Sequence, residues 1–364
     1  MSTNATSRHH GSSPSSEVIA PAAQDVLSFV VIGDYGRQGK YNQKDVANAM
    51  GSTAAYHSAS FVLAVGDNVY ENGISSASDP LWAQTVTNIY THPALTSIPW
   101  YAVMGNHDWK KNISAQYDGK ALGFPNWKGG MSYDVDGPGV THHGHGLLDM
   151  VYIDTDVLCS RKVKQLQANG WISSKQASDA AGMAQWFASW EDAQAARLQR
   201  LLSTSSARWK MVAGHHGIYN YACDHGSQPE LSRLNAVLRA QGAHAYFNGH
   251  DHDLALHRLP NNDPVAPLYV LSGAGSQTRN DIADPKDGSL LFGYGFAGYT
   301  LVQLTWSNMT TTFFDMAGRT LYTITTPWVA PPDCGGATPT ESLTWVADAV
   351  DSRCYAPVPP QPCK

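Results

Sequence analysis

Cationic side chains are scarce and scattered in this chain: 24 Lys and Arg face 30 Asp and Glu, for a formal net charge of -6, and no basic cluster is visible. That excludes the basic surface through which a nucleic-acid binder tracks backbone phosphates. An anionic substrate would need locally concentrated positive charge, and bound metal ions are its natural source here. No stretch approaches the run of about eighteen apolar residues that a membrane span requires. Charged residues are only 15% of the chain against 43% apolar, which is the composition of a folded chain with a sizeable core and not of a disordered one. Cysteine is also sparse. Cys159, Cys223, Cys334, Cys354 and Cys363 include no Cys-x-x-Cys pair, against a zinc ribbon or a redox motif.

Three of those cysteines crowd the C-terminal end, which suggests a disulfide-tied tail and an oxidising compartment. Asn-x-Ser/Thr triplets at Asn4, Asn112 and Asn308 fit a secreted protein. Met1 to about Gln24 is rich in Ser, Ala and Pro without an apolar run, so it is not a signal peptide. The expected location is secreted or otherwise extracytoplasmic, with the signal already removed.

Apolar, β-branched runs alternate with helical patterns along the first hundred residues. Val26–Ile32, Phe61–Val65 and Pro99–Met104 read as buried strands. Between them Gln43–Ala55 and Pro80–Tyr90 read as helices, so a β-α-β-α-β order and a parallel sheet are expected. Further strands are expected at Met131–Val135, Leu147–Ile153, Trp209–Ala213 and Ala245–Phe247, with helices over Ala181–Leu202 and Glu230–Ala240. From Pro267 to Thr326 the pattern is β-rich, with Leu268–Leu271, Gly298–Thr305 and Thr310–Phe314 as strands. An α/β fold of two stacked mixed sheets flanked by helices, in α/β/β/α layers, accounts for this better than one sheet. The organisation expected is a disordered segment over 1–25, one large domain over 26–328, and a Cys/Pro-rich extension over 329–364.

Five polar clusters each follow a strand: Gly33-Asp34-Tyr35-Gly36, Gly66-Asp67-Asn68-Val69-Tyr70, Gly105-Asn106-His107-Asp108, Gly214-His215 and Gly249-His250-Asp251-His252. In open α/β sheets the C-terminal strand edge is where ligands bind. Each cluster pairs glycine, which lets the chain turn sharply, with a metal-ligand residue type. One such cluster is more often a turn or cap; five in series are not.

In order and spacing these clusters resemble the motif set of the purple acid phosphatases, of the small, tartrate-resistant type, within the dinuclear metallophosphatases. The resemblance covers roughly Leu27 to Thr326. It implies two metals, which clamp the attacking and departing oxygens of an in-line displacement. By the same resemblance Asp67 bridges them, Asp34, Tyr70 and His252 complete one site, and Asn106, His215 and His250 complete the other. Most metallophosphatases carry a histidine ligand where this chain has Gly36, and Tyr70 fills that vacancy. A phenol with an ordinary pKa of about 10 becomes a ligand at acid pH only against a strong Lewis acid such as Fe(III). The second metal is then Fe(II), Zn(II) or Mn(II). His107 is implied to contact the phosphoryl group and His225 to protonate the departing alkoxide; His216, at a position where the small relatives often differ, is a candidate for the substrate pocket. Cys159 and Cys223 match a disulfide of the family, and Asn112 a glycosylation position. The implied activity is an acid phosphatase acting on small phosphomonoesters through a metal-bound hydroxide, as a monomer and without nucleic acid.

Rival readings are a phosphodiesterase or pyrophosphate hydrolase on the same site, Fenton-type redox chemistry of a di-iron centre, and a silent binding protein with an incomplete ligand set. The bland reading is preferred for several other residues. His142, His143 and His145 are expected in a solvated loop, and His57 and His244 as structural or exposed. Asp154 and Asp156 are expected to cap, a strand away from the five clusters. Trp186 and Trp190 are expected to pack in the core.

Overall fold

The computed structural model describes residues 26–130, 140–144, 146–222, 225–258, 266–284 and 286–330. Their strands, in chain order, are β1 (Leu27–Ile32), β2 (Phe61–Val65), β3 (Trp100–Val103), β4 (Trp127–Lys128), β5 (Val140–Gly144), β6 (Leu148–Ile153) and β7 (Trp209–Ala213). They continue with β8 (Ala245–Asn248), β9 (Leu254–His257), β10 (Leu268–Ser272), β11 (Leu290–Tyr294), β12 (Gly298–Leu304), β13 (Asn308–Asp315) and β14 (Thr320–Pro327). Two mixed sheets result, in the orders β14-β13-β12-β1-β2-β3-β4 and β11-β9-β10-β8-β7-β6-β5. β1, β2, β3 and β4 run parallel, and so do β6, β7, β8 and β10.

β1 and β2 are buried along their whole length because both faces are covered. On β1 and β2, Phe29, Val31, Phe61, Leu63 and Val65 join Met211, Ala213, Phe247 and Val270 of the other sheet in one buried cluster. The alternate residues Val30, Ile32, Val62 and Ala64 pack instead with Val46 and Met50 of the helix Gln43–Tyr56. Period-two alternation therefore gives each strand an inter-sheet face and a helix face. Two stacked mixed sheets flanked by helices are as expected.

The helices differ in detail from expectation. The Pro80–Tyr90 region is a short helix, Pro80–Trp82, running into a wider π-helical turn over Ala83–Thr87, with the Asp79 carboxylate capping Leu81 N–H at 3.1 Å. Ala180–Thr204 is one long helix whose first turn is capped by Asp179, accepting from Gly182 N–H at 2.9 Å. Pro229–Leu231 forms a 3-10 turn before the helix Ser232–Ala240, since proline suits only the first turn. Trp190 is buried in the core and stacks on Trp186, with ring centres 5.3 Å apart. Instead of a loop, the backbone at His142 and His143 forms β5, antiparallel to β6, whose edge offers it main-chain partners. The expected strand at Met131–Val135, His145, the segment 1–25 and residues 331–364 of the extension lie outside the described residues.

Candidate metal centre

Parallel pairing brings the C-terminal ends of β1, β2 and β3 to the same edge as those of β7 and β8, and the five clusters close over one point. Main-chain bonds tie neighbouring strand ends within each sheet there, and the His215 ring ties one sheet to the other. Asp34 N–H donates to Gly66 O at 3.0 Å, Gly249 N–H to His215 O at 3.0 Å, and His215 Nδ1 to Val65 O at 2.8 Å. Asp34, Asp67 and His250 sit at φ 57°, 54° and 76°. Non-glycine residues rarely adopt that left-handed region, and when they do it marks sites where the surroundings impose the conformation. Hydrogen bonds impose it here: Asp34 Oδ2 accepts His250 N–H at 2.8 Å and Asp67 Oδ1 accepts His107 N–H at 2.8 Å. At Gly66, φ is +95° and an added Cβ would lie 2.4 Å from His215 Nδ1.

All seven expected ligands converge. Asp34, Asp67 and His215 are buried, and one ligand atom from each lies within 4.8 Å of the others. Tyr70 Oη is 2.8 Å from Asp34 Oδ1 and 3.1 Å from His252 Nε2, and that nitrogen is 3.6 Å from Asp34 Oδ1. Asn106 Oδ1 is 3.1 Å from both His215 Nε2 and His250 Nδ1. His215 Nε2 is 3.5 Å from Asp67 Oδ1. Asp67 thus stands between an Asp34/Tyr70/His252 group and an Asn106/His215/His250 group.

The donor set fits metal ions on its own chemistry. Because His215 Nδ1 must donate to the Val65 carbonyl, its Nε2 presents a lone pair. That lone pair faces the Asn106 carbonyl oxygen, and two acceptors at this distance repel unless a cation lies between or beside them. The buried carboxylates make the same demand. Burial, followed by the nearby Asp67 charge, pushes the Asp34 carboxyl well up. Asp67 behaves oppositely: burial raises it, but His215, His107 and the His107 N–H outweigh burial and hold it at about 2. Burial, then Asp34 and Asp67, pushes the Tyr70 phenol well up, so only a strong Lewis acid could make it a phenolate. Burial keeps His250 neutral and lowers His252 to about 4, so both present lone pairs as ligands must. All-oxygen and imidazole donors suit Fe, Zn or Mn.

Gly36 leaves room for no side chain beside Tyr70. A Cβ at this position would lie 2.0 Å from the Asn68 carbonyl oxygen, so no side chain fits, whereas Gly36 O accepts Tyr70 N–H at 2.8 Å. The backbone that excludes a side chain at 36 thereby holds Tyr70 in place.

Three histidines border the ligands. His107 Nδ1 lies 2.7 Å from Glu71 O, so it donates there, and its Nε2 lies 3.9 Å from Asp67 Oδ2. Burial lowers its pKa, with Lys110 adding to the effect and Asp67 opposing it. His225 stacks on His250 with ring centres 4.2 Å apart and 25° between planes. His216 is buried, its ring centre 4.2 Å from that of His250.

The residue that sequence reasoning missed is Thr155. Its Oγ1 accepts N–H from both His215 (3.1 Å) and His216 (3.0 Å), and lies 3.0 Å from His216 Nδ1. With both lone pairs engaged, the hydroxyl hydrogen goes to His216 Nδ1, which fixes His216 as the Nε2–H tautomer. The expectation that Asp154 and Asp156 lie away from the clusters is therefore corrected. They end β6, which runs parallel beside β7, so their segment reaches the same edge. Capping itself holds, since Asp154 Oδ1 accepts Asp156 N–H at 2.8 Å. A lone Thr after a buried strand, on a parallel neighbour of β7, was the available signal. Asp108, also given no role, accepts N–H from Asn68 (3.1 Å), Val69 (3.1 Å) and Gly105 (2.9 Å), locking two ligand loops together. His244 is structural, with Nδ1 accepting Lys210 N–H at 3.1 Å. Asn112 is exposed, while Cys223, the expected partner of Cys159, lies outside the described residues.

Residues 27–254 match the family model described as calcineurin-like phosphoesterase. Over 312 residues the chain is 33% identical to purple acid phosphatase 4 of Arabidopsis thaliana, covering 83% of this chain and 84% of that one. It is 29% identical over 326 residues to tartrate-resistant acid phosphatase type 5 of Rattus norvegicus, covering 85% and 92%. Among solved structures, GAP50, the anchor in the inner membrane complex of Plasmodium, superposes with a TM-score of 0.65 at 20% identity, over 85% of this chain and 90% of that one. Purple acid phosphatase PPD1 from yellow lupin seeds gives 0.58 at 13% identity, over 90% and 58%. At these identities the two structures share the fold.

Proposed function

The chain belongs to the purple acid phosphatases of the calcineurin-like phosphoesterase family and hydrolyses phosphomonoesters at a metal centre; from that premise we propose that the centre is an Fe(III)–M(II) pair working at acid pH. The observation that carries this reading is the complete donor set, with Tyr70 held against Asp34 and His252 where a histidine ligand is sterically excluded. Asp34, Tyr70 and His252 would hold Fe(III), and Asn106, His215 and His250 the divalent ion, Fe(II), Zn(II) or Mn(II), with Asp67 shared. When bound, the pair supplies Lewis acidity, acidifying water and neutralising charge on phosphoryl oxygens.

The protein's own residues bind, orient and move protons around that pair. His107, with Nδ1 anchored on the Glu71 carbonyl, directs Nε2 toward the space beside Asp67, where its doubly protonated form, the imidazolium, donates to a phosphoryl oxygen. His216, held as the Nε2–H tautomer by Thr155, offers a second donor. His225, stacked on His250, is placed to protonate the departing alkoxide. The substrates are small phosphomonoesters and the working unit is a monomer that uses no nucleic acid. An extracytoplasmic location is supported by the exposed Asn112 sequon and by the three cysteines crowded toward the C-terminal end of the sequence. No helix among the described residues is long and apolar enough to cross a membrane.

Metal analysis with a visible spectrum of the purified protein tests the centre: iron with a broad visible band is expected, and a colourless, iron-free active enzyme would refute the tyrosinate assignment. Turnover of a nitrophenyl phosphate monoester against its bis-ester tests the substrate class, and a clear diester preference would overturn it.

A further inference from the structure

A charged cluster on the Tyr70 side of the centre is used by none of the roles above. The Arg37 guanidinium lies 3.6 Å above the centre of the Tyr70 ring, and its side chain is only 8% exposed. One of its terminal nitrogens donates to the Glu71 carboxylate, while Nε is buried with no hydrogen-bond partner. Glu71 itself is 65% exposed, and its other oxygen lies 3.8 Å from His107 Nδ1. Lys110 completes the group, with Nζ 3.1 Å from Glu71 O, 3.0 Å from His107 Nδ1 and 3.4 Å from His107 Nε2.

Hydrogen-bond logic leaves Lys110 with donors to offer. His107 Nδ1 donates to the Glu71 carbonyl, so it cannot also accept from Lys110. The ammonium gives one N–H to the same carbonyl and stands beside Nε2, the nitrogen that faces Asp67. Two cations that are far apart in sequence thus both bond Glu71 beside the centre, Arg37 at its solvent-exposed carboxylate and Lys110 at its main-chain carbonyl. Holding like charges together, one of them nearly buried, is costly unless an anion shares the space. Glu71 meets that need only from the solvent side. Because it is exposed, it can yield to a better-placed anion.

We propose that Arg37 and Lys110 form a second anion subsite beside the metal centre, which takes the anionic group next to the scissile phosphate in phosphoanhydrides such as nucleoside diphosphates. The inference rests on the phosphoesterase reading above. In the reaction, water oxygen bonds to the terminal phosphorus as the bridging P–O bond breaks. The bridging oxygen departs on the nucleoside monophosphate, and the water proton is released to solvent or to a product phosphate. A neutral aryl leaving group leaves the subsite empty, whereas a diphosphate fills it and displaces Glu71.

The test is the ratio of kcat/KM for ADP to kcat/KM for 4-nitrophenyl phosphate, measured on metal-loaded enzyme with metal content and melting temperature checked for each variant. Lys110→Met should lower the ratio about tenfold, as loss of one charged contact does, and Lys110→Arg should restore most of it. Glu71→Gln removes the competing internal anion and should move the ratio the other way, up severalfold. A ratio unchanged within about twofold in both variants, or shifted in the same direction by both, overturns the subsite. If wild type fails on 4-nitrophenyl phosphate, the phosphatase reading falls; if that substrate is hydrolysed and only the ratio is insensitive, the subsite alone falls.

Discussion

Thr155→Val isolates what a single buried hydroxyl does for the metal site. Valine matches threonine in shape, so the change removes one oxygen and adds one buried methyl. The lost oxygen accepts His215 N–H and His216 N–H and donates to His216 Nδ1, all within 3.1 Å and all buried. A buried polar atom left without its partner costs about 1–3 kcal/mol. Three such atoms, offset by about 1 kcal/mol for the extra methyl, give a loss of roughly 3–6 kcal/mol once the loop relaxes. At about 2 °C per kcal/mol for a chain of this size, melting should fall by roughly 6–12 °C. Metal affinity should fall by about 10–100-fold, the usual effect of removing a group that orients a histidine ligand. Thr155→Ser keeps the oxygen, loses a methyl, and should cost only about 1 kcal/mol. Thermal melts at fixed scan rate and metal titration of the apo protein read both quantities. If the valine variant melts within about 2 °C of wild type and holds metal equally well, the hydroxyl does not organise this loop.

Four further outcomes follow from the geometry. Tyr70→Phe removes the oxygen 2.8 Å from Asp34 and should abolish the visible band while leaving the fold; persistent colour would place the chromophore elsewhere. Gly36→Ala forces a methyl against the Asn68 carbonyl and should cost about 3 kcal/mol or more, bleaching the centre as Tyr70 moves; a folded, coloured variant contradicts the steric account. His107→Ala should lower turnover with little metal loss, and release of metal on purification would show it to be a ligand. His257 is fully buried, both ring nitrogens lack partners, and burial lowers its pKa to about 3. Unfolded histidine takes a proton at about 6.5, so between that pH and about 3 the unfolded chain binds more protons and the fold loses stability as pH falls. His257→Leu should leave the melting temperature at neutral pH nearly unchanged and flatten its decline on the acid side; parallel melting-versus-pH curves would refute this.

The parts of this site legible in the sequence are those encoded within a few residues of one another. Each ligand follows an apolar run and a glycine, so strand, turn and ligand type are local facts that add up over five clusters. The exchange of a histidine at 36 for a tyrosine at 70 was equally legible, although its cause, the Asn68 carbonyl pressed against Gly36, appears only in three dimensions. What depends on chains meeting was not legible. Thr155 is sixty positions from His215, and only the parallel pairing of β6 with β7 brings them together. Nor was it legible that Arg37 and Lys110, scattered charges in the sequence, would both bond Glu71 beside the centre. Loops that must turn sharply to present ligands also carry their neighbours to the same mouth, so the turn that places Tyr70 also places Glu71 between a guanidinium and an ammonium. The sequence motif therefore marks where phosphoryl chemistry occurs, whereas the choice among substrates lies with residues that carry no motif and become neighbours only when the motifs converge.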